Sequence, residues 1–302
     1  MAIGSSDQNL ASLRRALLSP PVQADAELLA RLFRIDIVSV TALRPASLDD
    51  YPDLVLRVRG AFGNKLYAMR PPPPLRCGGY VVARAWDVLQ EEQLPSLAKP
   101  LVLHVDVIGN TIAIHAHLIG HAGFWQPDVT AALVAACDGG VTLANYSQIK
   151  TIFEVVEIRS STCGGFEPSE LEICQAYLQL VSPLRLRSGG ATKFSTAAFL
   201  IALANRVKNL AAWHGVQLVE DWQSLHKLAW SVECSEDELR PYRWERGSRR
   251  MESRIPVLGF VGSLMLRGNL RRFIPYLQIG EMMNVGSHAA LGLGRYRLAL
   301  LP

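Results

Sequence analysis

The sequence predicts an α+β protein in which the order strand, helix, strands, helix, strand occurs twice. Two observations predict this. Strand-type alternation and helical apolar spacing succeed one another in that order in each half, and STCGGFEP, residues 161–168, separates the halves with the composition of a linker. The order is that of the split βαβ, or ferredoxin-like, arrangement, an RRM-like sheet that also serves many RNA-binding modules. The expected organisation is a first domain over 1–165, with 1–33 as a helical lead-in, and a second over 166–302.

The first half opens on RIDIVSVTAL, residues 34–43, where Ile35, Ile37, Val38 and Val40 alternate with polar residues as in a strand. After Pro45 and Pro52, VLRVRGAFGNKLYAMR is expected to become a short helix beyond Gly60. The run PPPP at 71–74 is a stiff connection, followed by GYVVARAW. KPLVLHVDVIGNTIAIHAHLIG reads as a hairpin turning at Gly109 and Asn110. QPDVTAALVAACDGG is a marked helix, with Pro127 and Asp128 in its first turn and Gly139–Gly140 as its stop. IKTIFEVVEI closes this half as a strand.

Beyond the linker, LEICQAYLQLVSPLRL reads as a long strand. STAAFLIALANRVKNLAAWHG is a helix capped by Ser195 or Thr196, with Phe199, Leu203, Val207 and Leu210 along one face. VLGFVGSLMLRGNL is a strand or hairpin, FIPYLQIGEMM a helix and LGLGRYRLAL the last strand.

Composition narrows the function classes. With 302 residues, 49% of them hydrophobic and 19% charged, the chain is globular and long enough for two cores. It has no apolar run of membrane-spanning length, and its start has no secretory apolar stretch. Cys77, Cys137, Cys163, Cys174 and Cys234 are scattered without a C-x-x-C pair. That suits a cytoplasmic protein without a structural metal, and no cofactor is expected.

Charge is distributed unevenly. From Arg240 onward there are eleven arginines, no lysine and three acids, a balance of +8, while the first 239 residues balance at −4. A block of this kind is the footprint of a polyanion, and arginine forks suit phosphate and stack on bases. Within it RPYRWERGSRRMESR, residues 240–254, interleaves arginines with Tyr242 and Trp244, the usual means of holding nucleic acid.

Other motifs exclude more than they assign. In NVGSHAALGLGRYRL, residues 284–298, Gly292 and Gly294 would need a following helix to make a dinucleotide site, and a strand-like tail follows instead. SGGATKFS, residues 188–195, lacks the Gly-Lys-Ser/Thr ending of a phosphate loop, leaving Lys193 as a simple phosphate contact. His115, His117 and His121 have no acidic residue at a useful spacing for a metal. No G-x-S-x-G elbow is present.

The ending GFVGSLMLRGNLRRFIPYLQIGEMMNVGSHAALGLGRYRL resembles the C-terminus of the repeat-RNA-processing endoribonucleases of CRISPR systems. These are RAMP proteins whose terminal motif is a glycine-rich loop leading into the last strand. SPLRLRSGG, RGSRR, LHVDVIGNTIAIHAHLIGHAGFW and LRVRGAFGNKL extend the likeness upstream. The resemblance implies two tandem ferredoxin-like RAMP domains and metal-independent cleavage of precursor CRISPR RNA. Its partners would be the repeat stem-loop, the mature CRISPR RNA and other effector-complex subunits. It also implies that bare N–H groups of the terminal loop and flanking arginines lie against the RNA backbone. The expected RNA-binding set is Arg187, Lys193, Arg246, Arg249, Arg250, Arg254, Arg267, Arg271, Arg272, Gly286, Gly292, Gly294 and Arg295. Relatives often carry a histidine on the first helix, where this chain has Asn64 and Lys65, and many read His-Val-Gly-Lys where it has Asn284 to Ser287. Catalysis is therefore expected to rest on Arg44, Arg59 and Lys65, with His288 of the terminal loop as their companion.

Overall fold

The protein is seen here as a computed structural model that describes residues 16, 19–46, 48, 54–68, 98–142, 150–167, 173–186, 194–235, 238–248 and 253–302. PPPP, GYVVARAW, Arg187, Lys193, Arg249 and Arg250 lie outside the described residues. The chain forms two compact units. The first comprises Met1–Gly165 and Lys208–Leu218, the second Phe166–Val207 and Val219–Pro302.

The first unit begins with β1 (Val22–Ala24) and α1 (Ala26–Leu32), whose N-cap Asp25 accepts from the Leu28 N–H at 2.7 Å. Then come β2 (Arg34–Leu43), α2 (Leu54–Ala68), β3 (Leu101–Ile108), β4 (Thr111–Ile119), α3 (Gln126–Asp138) and β5 (Val155–Gly164). The sheet order is β3-β4-β2-β5, with all neighbours antiparallel. Counting from β2, this is second, third, first, fourth, the ferredoxin-like order. The β3–β4 hairpin turns at Gly109 and Asn110, and α3 has its proline in the first turn and Gly139 as C-cap, as the sequence predicts.

Two expectations are corrected in this unit. The helix starts at Leu54 rather than after Gly60, because Leu54, Val55, Val58, Phe62 and Leu66 form one buried face. That burial outweighs the roughly 1 kcal/mol a mid-helix glycine costs. The linker composition at 161–164 also misleads, because these residues continue β5, paired with β2 as far as Arg34↔Gly164.

The second unit contains β6 (Gln175–Leu184), most of α4 (Thr196–Ala211), α5 (Trp222–Ser231), β8 (Glu233–Ser235), β9 (Arg240–Ser248), β10 (Ser253–Arg267), α6 (Ile274–Met283) and β11 (Tyr296–Leu301). Between α4 and α5 the chain forms β7 (Val216–Leu218), which pairs in parallel with β1 in the first unit. Ser195 is the cap of α4, accepting from the Ala198 N–H at 3.2 Å, and Phe199, Leu203, Val207 and Leu210 are fully buried. The order β11-β6-β10-β8, with β9 also on β10, repeats the first sheet's plan. The arginine-rich stretch 240–248 is therefore a strand, and LGLG precedes the last strand instead of opening it.

Lys208–Leu218 joins the first unit although it follows the 165/166 boundary. Trp213 is fully buried there, its indole N–H donating to Ala98 O at 2.9 Å. His214 stacks on Phe33 with centroids 4.4 Å apart, and its Nε2 meets the Arg34 backbone at 3.0 Å.

Candidate nucleic-acid interface

The glycine-rich segment Asn284–Arg295 folds back on the end of β6. Ser287 N–H donates to Arg185 O at 2.7 Å and Gly294 N–H to Pro183 O at 3.0 Å. Val285 N–H donates to Gly294 O at 3.0 Å and Gly292 N–H to Ala289 O at 2.9 Å. Ser182 ties the two ends together: its hydroxyl donates to Gly292 O and accepts from Arg295 N–H, both at 2.9 Å. Five loop amides are thus spent inside the unit, which corrects the expectation of a loop presenting bare N–H groups. The glycines act through shape. Gly286 has φ 83°, and a β-carbon there would lie 2.3 Å from Arg185 O; Gly294 has φ 71°, and one there would lie 1.9 Å from Val285 O. Gly292 and Gly294 are themselves buried.

The loop leaves α6 under the control of a buried cation that sequence reading missed. Arg206 of α4 donates Nε to Met283 O at 3.0 Å and to Asn284 O at 3.1 Å, closing the C-terminus of α6. Although the residue retains some exposure, its Nη2 is sealed from solvent without a hydrogen-bond partner, and burial pulls the guanidinium down to about 10. Asn284 itself is fully buried at φ 60°.

On the far side of the loop His288, at φ 66°, meets Arg185 Nη1 through its Nε2 at 3.1 Å. Arginine only donates, so this ring nitrogen is the acceptor and the imidazole proton sits on Nδ1.

The expected cations separate into groups. Arg267, at the end of β10, and Arg271 are exposed. Arg272 is committed internally, with Nη2 2.6 Å from Glu220 and Nη1 3.0 Å from Ser224, while Tyr276 holds the other Glu220 oxygen at 2.7 Å. Arg246 and Arg254 stand on the β9–β10 hairpin, in register positions facing Ile255 and Gly247. Arg297 joins the set from the structure alone, because register places it opposite Gln179, on the same sheet face as Arg267. Glu281 of α6 accepts from Leu298 N–H at 2.9 Å, and burial raises its carboxyl above the ordinary range against the pull of Arg295 and Arg297.

In the first unit Arg44 follows β2 and donates to Leu48 O at 2.9 Å. Arg59 lies over the Phe62 ring at 5.8 Å on α2. Lys65 is six residues further along that helix, about 9 Å of rise. Its ammonium lies against Gly139 at the end of α3, where a β-carbon would approach Nζ to 2.6 Å.

The register face of the first sheet that carries Ser39 also carries the histidine cluster, where His104 and His117 are buried. His115 Nδ1 meets Ser39 Oγ at 2.7 Å, and its Nε2 lies 3.8 Å from Asp106. His104 packs edge-on against His117, with centroids 4.2 Å apart. Asp106 is the acidic neighbour that linear spacing did not reveal, because it arrives from the adjacent strand. Among the described residues no three or more His, Cys, Asp or Glu side chains are grouped to hold a metal ion, and no helix is long and apolar enough to cross a membrane.

The described fold is thus two ferredoxin-like units, the second with a glycine-rich loop before its last strand. Residues 178–296, less than half of the chain, match the family model of the CRISPR-associated endoribonuclease Cas6. The fold is similar to a Cas6 product complex at 16% identity, covering 90% of this chain and 100% of that chain with a TM-score of 0.53. A second Cas6 product complex matches at 15% identity over 88% and 99% of the two chains, with a TM-score of 0.54. A Cas6 substrate mimic complex matches at 15% over 89% and 100%, with a TM-score of 0.53. No curated protein matches the chain.

Proposed function

We propose that the chain is a cytoplasmic endoribonuclease that cuts precursor CRISPR RNA within each repeat, beside a hairpin, and stays bound to the product. The observation that carries this reading is the Cas6 family match over the segment holding the glycine-rich loop and its arginines. The ribose 2′-hydroxyl attacks the adjacent phosphate, leaving a 2′,3′-cyclic phosphate and a 5′-hydroxyl. The reaction needs in-line positioning, cations on the phosphorane and proton transfer at two oxygens, and no metal. Arg44, Arg59 and Lys65 are the catalytic cations, and His288 or water takes the 2′-proton, since an arginine with a pKa above about 12 is a poor base. Arg267, Arg271, Arg295 and Arg297, with Arg187, Lys193, Arg246, Arg249, Arg250 and Arg254, hold the RNA backbone; Arg272 shapes the surface through Glu220.

A second reading has one observation in its favour: α2 carries no histidine. On this reading the chain is an inactive RAMP subunit that holds guide RNA beside other effector-complex subunits. Purified protein incubated with a cognate repeat RNA in EDTA, with the product ends mapped, separates the two. Cyclic phosphate ends in EDTA support the nuclease, magnesium dependence overturns its mechanism, and intact RNA in tight complex supports the second reading.

A further inference from the structure

We propose that β5 is a dimerisation strand, through which two copies of the chain join their first sheets edge to edge, antiparallel about Ile158. β5 lies at the edge of its sheet and is exposed along most of its length. Val156 is 52% and Ile158 48% exposed, and Ile152, just before the strand, is 65% exposed. An edge strand with apolar side chains and open backbone groups is a template for another strand. The second unit guards its own edge differently: on β11 the outward N–H of Leu298 is taken by the Glu281 carboxylate at 2.9 Å. Among the described residues no side chain caps the outer backbone of β5 in this way.

The occupant follows from the strand's complementarity to itself. Antiparallel pairing about Ile158 sets that residue against its own copy and places each Glu157 opposite the second copy's Arg159. Within one chain these two already touch, Nε to Oε1 at 2.6 Å, and register puts both on the face of Thr41 and Ser39. In the pair the four charges alternate on that face, each with a cross-strand partner. Ile158 falls on the opposite, helix-bearing face and buries against its copy. A pairing centred on Ser160 would instead face Glu157 with Cys163 and leave the charges unmatched. The bulge at Val156 shortens the regular ladder, so the association is weak and concentration-dependent. A two-fold contact consumes both edges, so assembly stops at two copies.

Sedimentation velocity of the full-length, RNA-free protein over a wide concentration range tests this. The wild-type chain should pass from monomer to dimer as concentration rises. Glu157→Arg alone and Arg159→Glu alone should each weaken association about tenfold or more, by setting like charges opposite one another. The double swap should restore it, and Ile158→Lys should leave a monomer. Circular dichroism and melting of the monomer should stay close to wild type, since Ile158 and Arg159 are exposed and Glu157 is only partly covered. A wild-type chain that stays monomeric throughout overturns the proposal; that would also be the result if the edge served some other polypeptide. So do single swaps or Ile158→Lys that dimerise like wild type, or a double swap that fails to rescue.

Discussion

Arg185 and His288, far apart in sequence, share one hydrogen bond of 3.1 Å between Nη1 and Nε2. The arginine keeps that nitrogen in its acceptor form and fixes the ring of a residue held in left-handed backbone. With the ring proton on Nδ1, Nε2 is the basic nitrogen of His288, so the ring takes the 2′-proton only as Arg185 hands that nitrogen over to the ribose hydroxyl, and the two side chains work as one unit. His288→Ala should slow cleavage by about 10² or more while repeat binding stays within a few-fold. Arg185→Ala should slow it too, and the double variant should be no slower than the worse single one. Single-turnover cleavage of labelled repeat RNA checks this, and additive losses would mean that the residues act separately.

Replacing Arg206 removes the group that closes α6. Arg206→Met leaves the Met283 and Asn284 carbonyls without their charged donor, a loss of about 1.5–3 kcal/mol. Urea unfolding should show a lower midpoint at unchanged slope, and RNA affinity should fall because the loop starts from these two residues.

Gly286→Ala and Gly294→Ala should lose stability and RNA binding together. Each places a β-carbon against a main-chain carbonyl in a backbone conformation that costs a non-glycine residue about 1–3 kcal/mol before any clash. A variant that melts like wild type yet fails to bind would assign the glycine to contact with RNA instead.

Arg267 and Arg271 are exposed arginines in the basic block. Replacing each by alanine should reduce the slope of log affinity against log salt by about 0.7–0.9. A filter-binding titration measures it; unchanged slopes would place both outside the RNA path.

His214 and His121 give the first unit a pH dependence. Burial lowers both from the usual 6.5, so below that value the unfolded chain binds protons that the folded chain does not. Their contribution to stability is full above about 6.5 and is lost as pH falls below it. Denaturant unfolding at pH 7.5 and 5.5 should show the drop, and His214→Phe, which keeps a ring on Phe33, should flatten it.

Much of the fold is legible in the sequence because the strands of both sheets are long and alternating, and because α3 and α4 carry local signals at their ends. The misjudged parts depend on distant partners. The start of α2 is decided by what Leu54 and Val55 bury against, and β5 runs through a linker-like composition because β2 supplies its hydrogen bonds. At the interface the glycines are visible from the sequence but their purpose is not, since the carbonyls they avoid belong to Arg185 and Val285. Arg206 reads as an ordinary polar position on a helix until α6 is placed over it, and Asp106 stands beside His115 only through strand pairing.

The loan of Lys208–Leu218 to the first unit governs the order in which the chain can fold. During synthesis the first sheet is complete once β5 has emerged, yet the Trp213 site beside Ala98, the ring that stacks on Phe33 and the parallel partner of β1 have not been made. The first unit therefore waits, unfinished, while β6 and α4 of the second leave the ribosome. A gene split at codon 165 would yield a first fragment lacking part of its own core and a second fragment carrying that missing part, with Trp213 exposed.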